Sequence, residues 1–143
     1  MNKYEELKAK QQKRVDSFPM KFAFSDEQFN KAMNELGLSP EDTDKVISIG
    51  GGGFIRKSDL KAFEELFDTI DKEMKEEIAK DKTGEHFIKD MFFYELQNHE
   101  FGYTKELDDT LEALDLKKEE ILKNERLKKG LLLAINEIKE VEW

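Results

Sequence analysis

Val46-Ile47-Ser48-Ile49-Gly50-Gly51-Gly52-Gly53-Phe54-Ile55-Arg56-Lys57-Ser58 is the stretch that decides the fold of this chain. Glycine alone enters positive φ freely, and it loses more backbone entropy on ordering than any other residue. Four in a row therefore imply a tight reversal or a close approach. The β-branched residues on either side make the reversal a hairpin, with strands over 45–49 and 54–57. The same residues carry a second reading. Gly51, four residues, then Arg56, Lys57 and Ser58 has the spacing of a phosphate-binding loop, with Arg56 standing where that loop has its second glycine. Gly50, Gly51, Gly52, Gly53, Arg56, Lys57 and Ser58 are thus the candidate residues for a nucleotide or other anionic ligand, held by backbone N–H groups and the start of a helix. The missing glycine is the one that opens the helix toward phosphate, which favours the plain hairpin.

Upstream, Met20, Phe22 and Phe24 alternate with Lys21 and Ala23 as a half-buried strand does, and Pro19 stops the helix expected before it. That first helix, over residues 2–17, carries apolar side chains only at Tyr4, Leu7 and Val15 besides Ala9, so it is expected to be loosely attached to an otherwise single domain spanning 1–143. Ser25-Asp26-Glu27-Gln28 has the form of a capping box, and the helix it opens buries Phe29, Ala32, Met33 and Leu36 before Gly37 ends it. Ser39-Pro40, with Asp42, starts a short turn that leads into the strand at 45–49.

Downstream, Ser58 is expected to cap a long helix with one stripe of Leu60, Phe63, Phe67, Ile70, Met74 and Ile78, ended by Asp81-Lys82-Thr83-Gly84. A helix over 85–98 follows, with Phe87, Ile88, Met91, Phe92 and Leu96 facing inward. Residues 98–104 read as a loop, Thr104 as the cap of a short helix through Leu114, and 118–140 as one last helix in which Gly130 marks a break or a close crossing. Leu36-Gly37-Leu38 and Leu114-Asp115-Leu116 echo one another, each a helix end, a tight turn and a new acidic start. The resulting fold class is α+β, helix-rich, with a small antiparallel sheet of 20–24, 45–49 and 54–57 that includes the glycine-turn hairpin.

Composition bounds the function. The chain has 143 residues, 38% hydrophobic and 40% charged, and its 11 Phe supply a core in spite of that polarity. It has no cysteine, which removes disulfides, thiolate nucleophiles and Cys-ligated zinc together. The N-terminal residues lack a continuous apolar run, so neither a signal peptide nor a membrane span is expected, and the location read from this is the cytoplasm. Net charge is −9, and its distribution is uneven: residues 59–120 hold nine basic and 20 acidic groups, while the two flanks are close to neutral. Such a field repels nucleic-acid backbones and attracts a basic protein surface, including one that ordinarily holds nucleic acid. Glu64, Glu65, Asp68 and Asp71 are the acidic candidates for that contact, and Phe93 or Tyr94, in a run of three aromatics, is the expected exposed anchor. Lys3, Lys8, Lys10, Lys13 and Arg14 give the first helix a basic face, which suits a solvated arm, the acidic centre of the same chain, or that of a second copy in a homodimer.

Catalytic constellations are sparse. His86 and His99 stand 13 residues apart, on nearly opposite faces of a helix. Glu95 and His99 share a face at i, i+4, but as a metal site they lack further ligands and as an acid–base pair they lack a nucleophile, so a helix-surface hydrogen bond is the simpler reading. The dense carboxylates Asp68, Asp71, Glu73, Glu76 and Glu77 do not follow a calcium-loop spacing. No metal, cofactor or catalytic residue is assigned.

Phe18-Pro19-Met20 with Phe22-Ala23-Phe24, then Ile49 to Arg56, then Tyr94-Glu95-Leu96 followed by Asn98-His99-Glu100, resembles an uncharacterised family of small proteins from gut Firmicutes, their phages and mobile elements, over about residues 1–135. The resemblance carries no activity or catalytic residues. It implies a setting: an accessory factor inside a host cell, of the kind that inhibits a host nucleic-acid-binding defence enzyme by occupying its channel. The leading expectation is therefore a non-enzymatic interaction protein with an acidic surface, and the alternative a small module binding an anionic ligand at Gly50–Gly53.

Overall fold

The computed structural model describes residues 1–142, with side chains to residue 139. The fold is helix-rich α+β with a small three-stranded antiparallel sheet. Helix occupies 68% of the chain once the 3-10 turns are included, more than the half that the sequence pattern suggests. In chain order the elements are α1 (Lys3–Asp16), β1 (Met20–Phe22), α2 (Asp26–Glu35), β2 (Val46–Gly50), β3 (Gly53–Arg56), α3 (Leu60–Lys80), α4 (Phe87–Asn98), α5 (Phe101–Thr104), α6 (Asp108–Ala113), α7 (Lys118–Lys123) and α8 (Glu125–Glu142). They pack as two compact units, one of Gln11–Asp71 and one of Met1–Lys10 with the chain from Lys72 onward.

In the unit of residues 11–71, β3 lies between β1 and β2, all antiparallel, with Met20 opposite Ile55 and Val46 opposite Arg56. A bulge between Ser48 and Gly50 shifts the register, so Gly50 faces Gly53 and the turn is made by Gly51 and Gly52 alone, at φ 60° and 81°. Positive φ at both central residues is what a two-residue hairpin needs to match the strand twist. Gly52 has a further constraint. A Cβ there would stand 2.6 Å from the ring of Phe24, which lies against the turn. Ala32 and Met33 of α2 and Leu36, which follows its last residue, are buried with Phe54 of β3, and Phe29 packs on Phe54 with ring centres 5.2 Å apart. The expected capping of α2 is present: Ser25 Oγ accepts from the Gln28 backbone N–H, and Gln28 Oε1 accepts from that of Phe24.

The echo between the two Leu-x-Leu corners is a shared backbone motif. Gly37 and Asp115 both sit in the left-handed region, at φ 77° and 54°, and the following Leu38 and Leu116 each donate back five residues, to Met33 and Leu111. Each of these bonds encloses a second one, from Gly37 to the Asn34 carbonyl and from Asp115 to that of Glu112, the paired closure that satisfies the last carbonyls of α2 and α6.

The second unit is built on α4 and α8. Ile88, Met91, Phe92 and Leu96 are fully buried, each contributing about 1.5–3 kcal/mol of transfer free energy, and they meet Leu127, Leu131, Ala134 and Ile138. Gly130 is the crossing point. A Cβ there would collide with Ile88 and stand 2.9 Å from the Gly84 carbonyl oxygen, so the glycine marks the close approach and not a break. The break falls at Asn124, which ends α7 and whose Oδ1 accepts from Arg126 and Leu127 to start α8, so the single helix expected over 118–140 is two. Two other expectations are corrected. Ser58 lies inside a 3-10 turn, Lys57–Asp59, and does not cap α3. Thr104 ends the short helix α5, and α6 begins only at Asp108.

The corner between α3 and α4 rests on Asp81, which is buried. Its carboxylate accepts from the backbone N–H groups of Thr83, Gly84, His86 and Ile88 at 2.9–3.2 Å, which places negative charge at the N-terminus of α4. Arg126 closes the other side, donating to the carbonyls of Ile78 and Asp81 at 2.9 and 2.7 Å. Burial works to raise the Asp81 pKa, and the backbone N–H bonds outweigh it and hold the carboxyl below its ordinary value. Because the folded value lies below the unfolded one, the stabilisation is complete above the unfolded pKa of about 3.9 and is lost as pH falls through the folded value. Replacing Asp81 by Ala should lower stability by about 2–4 kcal/mol in denaturant melts at neutral pH. In the Asp81→Asn variant the acid limb of the stability–pH curve should flatten.

Candidate functional site

The most concentrated polar chemistry lies on α4, at Glu95. Leu96, Phe92 and Met91 form the inner stripe of that helix, and Glu95 sits beside them, 1% exposed. A carboxylate so placed must be met by charge and donors. Tyr4 Oη donates to Glu95 Oε1 at 2.7 Å, Lys8 Nζ lies 2.5 Å from the same oxygen, and His99 Nε2 lies 3.5 Å from Oε2. Tyr4 and Lys8 are one turn apart on α1, so a single face of that helix delivers both. Lys8 also stands over the rings of Tyr4 and Tyr94, 5.8 and 5.1 Å from their centres. Burial first, then the hydrogen bond and charge of Glu95, push the Tyr4 phenol far above its ordinary range, so it stays protonated and donates to the carboxylate. Glu95 and His99 do approach one another at i, i+4, but among the described residues His99 Nε2 is buried without a hydrogen-bond partner, so the hydrogen bonds to Glu95 come from Tyr4 and Lys8, which are distant in sequence. No cleft opens on this network among the described cavities, and its geometry is that of a clamp holding α1 on α4. Among the described residues no group of three or more His, Asp or Glu side chains could hold a metal ion.

The seven candidate anion-binding residues do not converge. Gly51 and Gly52 form the hairpin tip, whereas Arg56, Lys57 and Ser58 lie at the far end of β3, about 13 Å from Gly52 to Arg56 at the rise of a strand. Gly50 is exposed and its N–H is taken by Ser48 Oγ at 3.3 Å, while Gly53 is buried between Phe22 and Ile49. Arg56 is engaged as well. Its Nε donates to Asp59 at 2.8 Å and its Nη1 to the Leu36 carbonyl at 3.2 Å, tying the end of β3 to the end of α2.

The acidic candidates do share a surface. Glu64, Glu65, Asp68 and Asp71 are all exposed on α3, and Glu64, Asp68 and Asp71 follow the i, i+4, i+7 spacing of one face. Phe67 lies at the border of that face and is 40% exposed, its ring 4.9 Å from that of Phe63. A part-exposed aromatic ring thus lies beside the acids on the same helix. Phe93 and Tyr94 are half-buried against the core of the other unit, with Tyr94 beneath Lys8, and neither stands free in solvent. The stripe pattern that placed Phe67 on the inner side of α3 concealed this.

Two outcomes check these assignments. Tyr4→Phe should cost about 1 kcal/mol, and Glu95→Ala about 1–3 kcal/mol, since Lys8 remains partly solvated while Tyr4 loses its acceptor in the core; thermal melts measure both. At the hairpin, Gly51→Ala and Gly52→Ala should each lower stability by about 1 kcal/mol through positive φ, and millimolar nucleotide should leave the melting temperature of the parent unchanged.

No curated protein and no solved structure matches the chain. A family model described as a family of unknown function, DUF7659, matches residues 3–137, which takes in the hairpin, the acidic face of α3 and the Glu95 network alike; the chain belongs to that family.

Proposed function

We propose that this protein is a non-enzymatic interaction module whose acidic face on α3 docks a basic protein surface. The observation that carries the reading is the exposed row Glu64, Glu65, Asp68 and Asp71 beside the part-exposed ring of Phe67. An aromatic side chain supplies contact area at low entropic cost, and the acids around it fix orientation and speed encounter with a partner of opposite charge. From Glu64 to Asp71 the row rises about 10 Å along the helix, comparable to the spacing of a few phosphates along a nucleic-acid strand. A basic channel that holds nucleic acid would accept it for the same electrostatic reason. The finer proposal is that the chain serves as a phage or mobile-element accessory factor of gut Firmicutes, acting in the host cytoplasm by occupying such a channel in a defence enzyme. The sign and placement of the charge support the occupation of a basic channel, and the setting rests on the family resemblance of residues 18–24, 49–56 and 94–100 alone.

The reading is tested by immobilising the chain, capturing partners from the cells that encode it, and eluting with salt. Reversing Glu64, Glu65, Asp68 and Asp71 to lysine should weaken capture by about tenfold or more, and reversing Glu64, Glu65 and Asp68 alone should weaken it at an unchanged melting temperature. Elution should fall between about 50 and 500 mM salt, as exposed charge pairs require. Capture indifferent to both reversal and salt would remove the acidic face from the account.

A further inference from the structure

The unit that contains α4 and α8 holds a cleft of about 440 Å³ between the Lys82–Thr83 loop and the first turns of α8. Its rim is basic in a chain whose net charge is −9. Lys129 is spent on Glu85 at 2.6 Å, and Arg126 donates to the carbonyls that end α3. Lys82 and Lys128 are exposed, and among the described residues neither makes an ion pair. Leu132 lines the same cleft and is 53% exposed, one of the large apolar side chains most open to water in this unit. Glu125 is the single acid in the lining. Two unpaired cations beside an exposed leucine form the complement, in both sign and polarity, of the exposed acids beside Phe67 on α3.

We infer that the cleft receives the acidic α3 row of a second copy of this chain, Lys82 and Lys128 facing Glu64 and Asp68 while Phe67 covers Leu132. The inference rests on the α3 row being a docking surface, and it names a second copy as one occupant. Copies of net charge −9 repel at long range, so only a contact with local complementarity overcomes that repulsion once salt screens the distant charges. A volume of about 440 Å³ lies within the range of clefts that take a specific side-chain or ligand-sized group. Self-association would also compete with a basic partner for the row, making the free acidic face most available at low protein concentration.

Sedimentation velocity over a concentration series at about 100 mM salt tests the inference, where the screening length is about 10 Å. The parent chain should show a mass that rises with concentration and falls back to that of one copy at about 500 mM salt. Lys82→Glu with Lys128→Glu, and separately Glu64→Lys with Asp68→Lys, should each weaken self-association by about tenfold, and mixing the two variants should restore it. Equal circular dichroism and melting temperature for all forms shows that they fold, and Lys82→Gln with Lys128→Gln provides a milder second pair. A parent chain that stays monomeric at all concentrations, or a mixture of the two variants that does not associate, overturns the inference. Its failure is separate from that of the proposed function: the Lys82 and Lys128 variant keeps its acidic face, so it should still capture a basic partner.

Discussion

A carboxylate removed from water has to be compensated, and in this protein the compensation for Glu95 comes from 87 and 91 residues away in the chain. Tyr4 and Lys8 close on one oxygen of Glu95, His99 stands by the other, and Thr110 donates to the Glu95 backbone carbonyl at 3.4 Å. Tyr4 then packs edge-on to Phe87, ring centres 5.7 Å apart, so the same side chain that satisfies the carboxylate extends the apolar core. This interaction fixes which face of α1 turns inward and which turn of α4 it meets. Apolar matching alone would not, because α1 offers few apolar residues, and a polar contact with one geometry supplies the register. Asp81 and Arg126 do the equivalent at the α3–α4 corner by satisfying helix ends that would otherwise be left open.

The local elements were legible because their signals are local. Ser25 with Gln28, Gly37 and the run Gly50–Gly53 announce a cap, a stop and a hairpin within a few residues of where each acts, and the three strands follow within about two residues of their expected bounds. The inner stripe of α4 is equally plain, since Phe87, Ile88, Met91, Phe92 and Leu96 repeat at helical spacing. What stayed hidden is non-local. Nothing near Glu95 shows that a tyrosine and a lysine from the first helix complete its shell, and nothing near Gly130 shows that Ile88 and Gly84 press against it. The helix break at Asn124 was missed because Lys118 to Glu140 has an unbroken apolar period, which the Asn124 cap overrides.

The site candidates divide along the same line. Spacing brought Gly51 and Arg56–Lys57–Ser58 together on paper, but a strand separates them by its full length, so periodicity 2 undoes a match that a helix or loop would have kept. The acidic row does share one exposed face, because i, i+4 and i+7 identify one face of any helix. The exposed ring beside the acids is Phe67, and not Phe93 or Tyr94: three consecutive aromatics cannot all be read as inward or outward from sequence, and on α4 both uncertain ones fold back toward the core.

On the proposed function, stability and recognition are carried by different carboxylates, Glu95 inside and the α3 row outside. The direct measurement is partner affinity and melting temperature determined side by side for Glu95→Gln and for Glu64→Lys with Asp68→Lys. The account predicts that Glu95→Gln lowers the melting temperature and leaves the affinity of the folded protein unchanged, while the α3 variant melts like the parent and loses binding. A folded Glu95→Gln protein that no longer binds, with full binding retained by the α3 variant, would contradict it.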